Sequence, residues 1–420
     1  MTRIAELASI ISEQTRNIDQ YLNSNGIPTP SFDLDRALEP EFPEQIIAAR
    51  DVVLDANMEL SELLLGPRQT FVEYQYNYFV SMRALYRYKV ASAFPVGEEA
   101  TFAEVAKNCK CSQDNIARIL RHAITNRIFK EVRKGVIAHT ATSRILAEDP
   151  LFQDYIGMRC EEMWPAELHT LPAIMKWPDS QDPAETGFSL ANNSLDTMYN
   201  IMAKDPTRAK RFSGGMAFRL TGPTLKLSFL VDHGPWGSLP AGGTVVDIGG
   251  SHGQAVLAIA KKFPSLHFVV QDLPSTIAAR RPIPEGSTTA DISFLAHDFF
   301  TPQPVVNAEV YLFRWIFHNW PDKYCLLILE NLVPALKPGA RIIINEICLP
   351  EPNTMSTRQE RRLRSMDIGM LTLQNARERS RDDWISLFKR ADERYNFVGV
   401  TEPKGSDLAI IEFAWQVDID

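Results

Sequence analysis

The stretch Val245-Val246-Asp247-Ile248-Gly249-Gly250-Ser251-His252-Gly253 decides the fold, with Asp272 following nineteen residues after Gly253. An apolar run ends in an acid, then comes a glycine-rich turn, then a helical stretch, Gln254 to Lys262. A second apolar run, Phe268 to Gln271, ends in a second acid. Gly249, Gly250 and Gly253 let the backbone turn sharply and approach a ligand closely, which a Cβ would prevent. Asp272 is spaced to accept hydrogen bonds from a ribose diol. The pattern predicts a nucleoside-containing cofactor on a doubly wound sheet. A dinucleotide site prefers G-x-G-x-x-G, with the pyrophosphate on the helix N-terminus. Here the pattern is D-x-G-G-x-x-G, with Asp247 directly before the turn, where a carboxylate repels a pyrophosphate and suits an ammonium group, so S-adenosylmethionine is favoured over NAD. A glycine cluster alone also fits a plain strand-turn-helix.

From about Gly243 onward, strand-like runs recur at Thr244–Ile248, His267–Gln271, Ile292–Ala296, Glu309–Phe313, Arg341–Asn345, Phe397–Thr401 and Leu408–Ala414. Helical runs separate most of them, which predicts an open α/β sheet whose ligand crevice lies at the carboxyl ends of the strands. Between the last two runs only Pro403 to Asp407 intervenes, which predicts an antiparallel hairpin.

His318 stands at the end of the fourth run, within Arg314-Trp315-Ile316-Phe317-His318-Asn319-Trp320-Pro321-Asp322. A histidine at the crevice rim suits removal of a proton from a phenol or enol. Glu346 ends the neighbouring run and is placed to hydrogen-bond one imidazole nitrogen, fixing the tautomer. Glu378, in an Arg-rich segment, is a second candidate orienting acid, with a solvated surface charge as its plain alternative.

The N-terminal part is helical. Ile4, Leu7, Ile11, Ile18 and Leu22 follow a helical period up to Asn25-Gly26, Pro28 to Pro43 reads as a linker, and helices are expected over Glu44–Leu65 and Thr70–Tyr88. Thr101-Phe102-Ala103-Glu104 is a capping-box pattern, Ser112 caps a second helix, and Lys134-Gly135 separates two β-like runs. Helix-turn-helix plus hairpin predicts a winged helix. Its nine Lys/Arg against five Asp/Glu over residues 101–150 leave two readings, DNA recognition by a regulator or a dimerisation module. Residues 151–235 are helical and loop-rich, and Trp164, Phe212 and Met216 are candidate walls of a pocket for a flat apolar substrate, or simply core. The expected domains are thus an N-terminal helix and linker (1–45), a helical winged-helix domain (46–150), a connector (151–235) and a cofactor-binding domain (236–420).

At 420 residues, with 45% hydrophobic and 23% charged residues, the chain is expected to form two or three globular units. A net charge of −8 argues against a nucleic-acid partner. Met1 to Asn25 carries Arg3, Glu6, Glu13 and Arg16, so it reads neither as signal peptide nor as membrane span. The five cysteines lack metal-ligand spacing, so no metal and a reducing, cytoplasmic setting are expected.

In combination, Asp247 to Gly253, Gln271-Asp272-Leu273-Pro274, His297-Asp298-Phe299-Phe300 and Arg314 to Asp322 resemble the plant caffeate/flavonoid-type O-methyltransferases. The resemblance is closer to the O-methyltransferases of fungal secondary metabolism and covers nearly the whole chain. It implies a homodimer with an N-terminal winged-helix dimerisation domain and a C-terminal Rossmann-like, seven-stranded domain. It further implies that Asp247, Gly249, Gly250 and Gly253 cradle S-adenosylmethionine. Asp272 would bind the ribose hydroxyls, Asp298 and Phe299 would flank the adenine, and Leu273, Arg314 and Trp315 would be further cofactor contacts. His318 matches the catalytic base, Glu346 and Glu378 its bracing acids, and Asn319 a substrate-side residue. Asn319 replaces a common Asp, and Ser251-His252 replaces Gly-Thr. The implied activity is O-methylation of a small aromatic or polyketide-type metabolite. Some fungal members act instead as pericyclases, and that remains the alternative.

Overall fold

The computed structural model describes residues 1–35, 42–280, 282–284 and 286–416. They fall into two compact units. The first comprises Met1–Pro165, Met202–Arg219 and Ser356–Gln359, the second Ala166–Ile201, Leu220–Met355 and Glu360–Asp420. Residues 151–235, expected as one connector, are therefore shared between the two.

In the first unit, helix Arg3–Ser24 buries Leu7 and Leu22 against helix Glu44–Val72, and Arg3 pairs with Glu59 at 2.6 Å. The expected helix break near residue 66 takes another form. Gly66, at φ +72°, kinks the helix, Pro67 opens its second segment, and the chain stays helical to Val72. The next helix, Tyr78–Arg87, starts eight residues later than expected. The proline-rich stretch Pro28–Pro43 includes residues 36–41, which lie outside the described residues.

The Thr101–Glu104 capping box is formed, Ser112 caps helix Gln113–Thr125, and Gly135 makes its turn at φ +82°. Strands β1 (Glu99–Thr101), β2 (Phe129–Arg133) and β3 (Val136–His139) pair antiparallel in the order β1-β3-β2. Phe102, Val105, Ile116, Leu120, Phe129 and Ile137 fill the core beneath them.

The second unit is built on β4 (Thr244–Ile248), β5 (His267–Asp272), β6 (Asp291–Ala296), β7 (Val310–Arg314), β8 (Arg341–Glu346), β9 (Cys348–Leu349), β10 (Arg379–Ser380), β11 (Tyr395–Thr401) and β12 (Ala409–Trp415). The main sheet has seven strands in the order β11-β12-β8-β7-β4-β5-β6. Its parallel part runs from β8 to β6, and β12 and β11 close it antiparallel.

Alternation across the pleat explains the apolar runs. Val246, Ile248, Tyr311, Phe313, Ile342 and Ile344 enter one core layer, while Val245, Val310, Leu312 and Ile343 enter the opposite one. Each such side chain contributes about 1.5–3 kcal/mol over its exposed state, so a strand covered on both faces is apolar throughout. The sheet reverses its strand order between β4 and β7, the place where such folds open a crevice at the strand ends. Beyond the main sheet, β9 and β10 form a two-residue parallel ladder, Arg379 opposite Cys348.

No helix among the described residues is long and apolar enough to cross a membrane.

Candidate active site

The carboxyl ends of β4, β5, β6, β7 and β8 carry the expected cofactor residues together with His318 and Glu346. After β4, Gly249 adopts φ +72° and Gly253 φ +78°. An added Cβ on Gly249 would lie 2.4 Å from Ile316 Cδ1, so the glycine turn and the turn carrying His318 are packed together. On Gly250 it would lie 2.4 Å from Asp247 Oδ2. Asp247 thus lies beneath the turn, 1% exposed, and its Oδ2 has no hydrogen-bond partner. Burial pushes this carboxyl up to about 7, Arg314 opposing and Asp272 adding to the shift. Asp247 was expected to suit an ammonium group of the cofactor. Its side chain is a buried acid behind the backbone of the turn.

Asp272, at the end of β5, is held across the glycine turn: Oδ2 accepts the Ser251 N–H at 2.9 Å and Oδ1 the Leu273 N–H at 2.8 Å. After β6, Asp298 Oδ1 accepts the Phe300 N–H at 3.0 Å. Phe299 meets Trp320 edge to face, ring centroids 6.1 Å apart. Arg314, at the end of β7, donates to Asn345 and, at 3.2 Å, to the Leu225 carbonyl. Burial lowers its guanidinium to about 10 against the attraction of Asp247.

Trp315 turns the chain through a left-handed conformation, φ +58°, unusual for a bulky residue. This brings its ring to 4.6 Å from the His318 ring, centroid to centroid. His318 follows in a single 3-10 turn, Phe317–Asn319, and is 5% exposed. Its Nδ1 donates to Glu378 Oε1 at 3.1 Å, and Glu378 Oε2 is buried without a hydrogen-bond partner. Glu378 is 1% exposed, so it is no solvated charge despite its Arg-rich neighbourhood.

Glu346 differs from expectation. Its Oε1 accepts the N–H groups of Ile316 and Phe317, both at 2.6 Å, and its Oε2 that of His318 at 2.9 Å. Both oxygens serve the backbone of the turn that follows β7. Complete burial raises this carboxyl to about 7, with the His318 charge opposing. Glu346 therefore fixes where the turn stands, while Glu378 fixes how the imidazole faces.

Asn319 Nδ2 donates to the Trp315 carbonyl at 2.8 Å, and its Oδ1 accepts from Gln374 at 3.0 Å. The other proposed substrate residues belong to the first unit. There Trp164 stacks on Phe79 at 5.6 Å, and Phe212 and Met216, four residues apart on helix Pro206–Leu220, are half-buried. Sequence reasoning missed Ser251, Gln374 and Arg379. The only signal for Arg379 was its place next to Glu378.

The arrangement fits a nucleoside cofactor carrying a diol and an amino-acid group. Glycines leave the backbone of the turn open to close approach, a fixed carboxylate ends β5, and a buried acid lies under the turn. Such a turn on a doubly wound sheet, with a histidine–carboxylate pair in the neighbouring segments, has the parts of a group-transfer site. The O-methyltransferase domain family matches residues 193–393. The grayanic acid biosynthesis cluster O-methyltransferase of Cladonia grayi is 40% identical over 99% of this chain and 88% of its own length. The chlorophenol O-methyltransferase of Trichoderma longibrachiatum is 39% identical over 99% of this chain and 90% of its own. Among solved structures, OxaC in complex with SAH and oxaline covers 99% of this chain and 100% of its own, with TM-score 0.75 and 22% identity. LepI in complex with SAM covers 97% and 100%, with TM-score 0.72 and 24% identity, a likeness of fold alone. The chain belongs to the S-adenosylmethionine-dependent O-methyltransferases of fungal secondary metabolism.

Proposed function

We propose that the protein methylates a phenolic or enolic hydroxyl of a small aromatic or polyketide-type metabolite, with His318 as the general base. The buried His318–Glu378 pair carries this reading, since His318 follows Ile316, whose side chain packs against Gly249. The chlorophenol named for the Trichoderma relative supports a phenol as acceptor. Bound S-adenosylmethionine supplies a sulfonium-activated methyl group. Gly249, Gly250 and Gly253 would admit its backbone-facing side, Asp272 and Leu273 its ribose, Asp298 and Phe299 its adenine, with Arg314 and Trp315 at its flank. Buried Asp247 would support the turn from behind. With Nδ1–H held on Glu378 Oε1, Nε2 is the nitrogen left to accept the hydroxyl proton. The protein's contribution is thus alignment, exclusion of water and one base.

The helix–helix–hairpin unit with its β1-β3-β2 sheet supports a winged-helix fold serving dimerisation rather than DNA. Phe71, Val72, Tyr74 and Tyr76 are 77%, 58%, 71% and 61% exposed in the same unit, an apolar surface suited to a second copy. Asn319, one residue after His318, is the proposed acceptor contact in the second unit.

The test is His318→Ala assayed with S-adenosylmethionine and a panel of phenols. Methylation should fall roughly 10²–10⁴-fold with cofactor affinity unchanged. Near-wild-type turnover removes His318 as base. A product isomeric with its substrate, instead of one heavier by a CH2 unit, would favour cyclisation.

A further inference from the structure

The turn bearing His318 is fixed on its N–H side by Glu346. Its carbonyls on the other side converge on Arg379, which no expectation for the site included. Arg379 Nη1 donates to the Phe317 carbonyl at 3.1 Å and Nη2 to the Trp320 carbonyl at 3.1 Å. The same guanidinium donates to Asp322 Oδ1, at 2.8 Å from Nη2 and 3.2 Å from Nε, and lies 3.3 Å from Cys325 Sγ. It also covers the Trp384 ring, 5.4 Å from its centroid. At 1% exposure, with these partners, it is one of the most deeply buried charges among the described residues.

A buried guanidinium is costly unless its donors are matched, and its planar fork can span several acceptors where an ammonium cannot. Three of these acceptors, Phe317 O, Trp320 O and Asp322, belong to the segment running through His318. The scaffold links both clamps to the base. Glu346 ends β8, the chain passes into β9, and β9 pairs with β10, where Arg379 sits opposite Cys348. Glu378, directly before Arg379, takes the imidazole.

We infer that Arg379 is a positioning residue for the base: by gripping the carbonyls of Phe317 and Trp320 it holds the His318 imidazole at hydrogen-bond distance from Glu378. The inference rests on the reading of His318 as the base, while its geometry is measurable without turnover. Arg379 need not touch cofactor or acceptor. Its effect passes through the turn, in the way that small misplacement of a reacting group costs rate without costing binding.

The experiment compares Arg379→Lys with wild type, both saturated with S-adenosylhomocysteine. His318 is followed by the proton resonance of its hydrogen-bonded Nδ1–H, identified by its disappearance in His318→Ala. In Arg379→Lys, S-adenosylhomocysteine affinity and the KM for S-adenosylmethionine should be unchanged. The His318 Nδ1–H resonance should be lost or broadened, and kcat should fall about 10- to 10²-fold. Arg390→Ala, which removes the exposed second partner of Asp322, should leave both signals as they are. An intact resonance with wild-type kcat in Arg379→Lys overturns the inference. So does a fall in turnover that only tracks lost S-adenosylhomocysteine binding, which marks general damage. If His318→Ala keeps its turnover, the base reading fails instead, and the resonance still reports whether Arg379 holds the ring.

Discussion

His318 Nδ1 and Glu378 Oε1 lie 3.1 Å apart, with the two side chains 6% and 1% exposed. In so dry a setting a carboxylate acceptor selects the Nδ1–H tautomer and points Nε2 away from itself. Glu378→Gln keeps the shape but offers an amide that can present either oxygen or nitrogen, so the tautomer is no longer enforced. We expect kcat to fall about 10²-fold or more, with S-adenosylmethionine affinity unchanged. Single-turnover methylation alongside calorimetric binding checks it. Wild-type single-turnover rates would mean the pair is structural.

Glu346→Gln should produce a different signature. The carboxylate accepts three backbone N–H groups with two oxygens, while an amide has one oxygen and brings an NH2 group toward the same donors. Buried donors left unmatched cost about 1–3 kcal/mol. The variant should therefore lose thermal stability as well as kcat, in contrast to Glu378→Gln. Calorimetric melting of both variants separates the roles, and equal melting temperatures would refute the division between a turn clamp and a ring clamp.

What the sequence revealed and hid follows from the kind of contact involved. The strands β4, β7 and β8 are legible because burial on both faces gives each a run of consecutive apolar residues, and the turn because Gly249 and Gly253 need positive φ. Glu346 could be placed at the end of its strand. Its bonding to backbone N–H groups could not be foreseen, because such bonds leave no mark on the partner residue types. Arg379 was hidden among Arg377 and Arg381, where composition suggests solvent. The β9–β10 ladder that buries it is only two residues long, too short for a periodic pattern. The Gly66-Pro67 pair reads as a helix end, yet proline at the start of a helical segment permits continuation.

Asp247 makes stability depend on pH in a direction opposite to that of most carboxylates. Burial without a partner for Oδ2 raises its pKa from 3.8 to about 7 in the folded protein. Between those values the folded state holds a proton that the unfolded state releases, so stability is full below about pH 4, declines as pH rises, and levels off above about pH 7. At about 1.4 kcal/mol per unit the decline is a few kcal/mol. Glu346, raised to about 7 by its own burial, contributes in the same window. Asp247→Asn keeps the shape and removes one of the two ionisations. Its melting temperature should therefore fall less between pH 5 and pH 8 than that of the wild type, both measured without ligand. Parallel melting curves for the two proteins across that range would show that Asp247 ionises as freely in the fold as in the open chain.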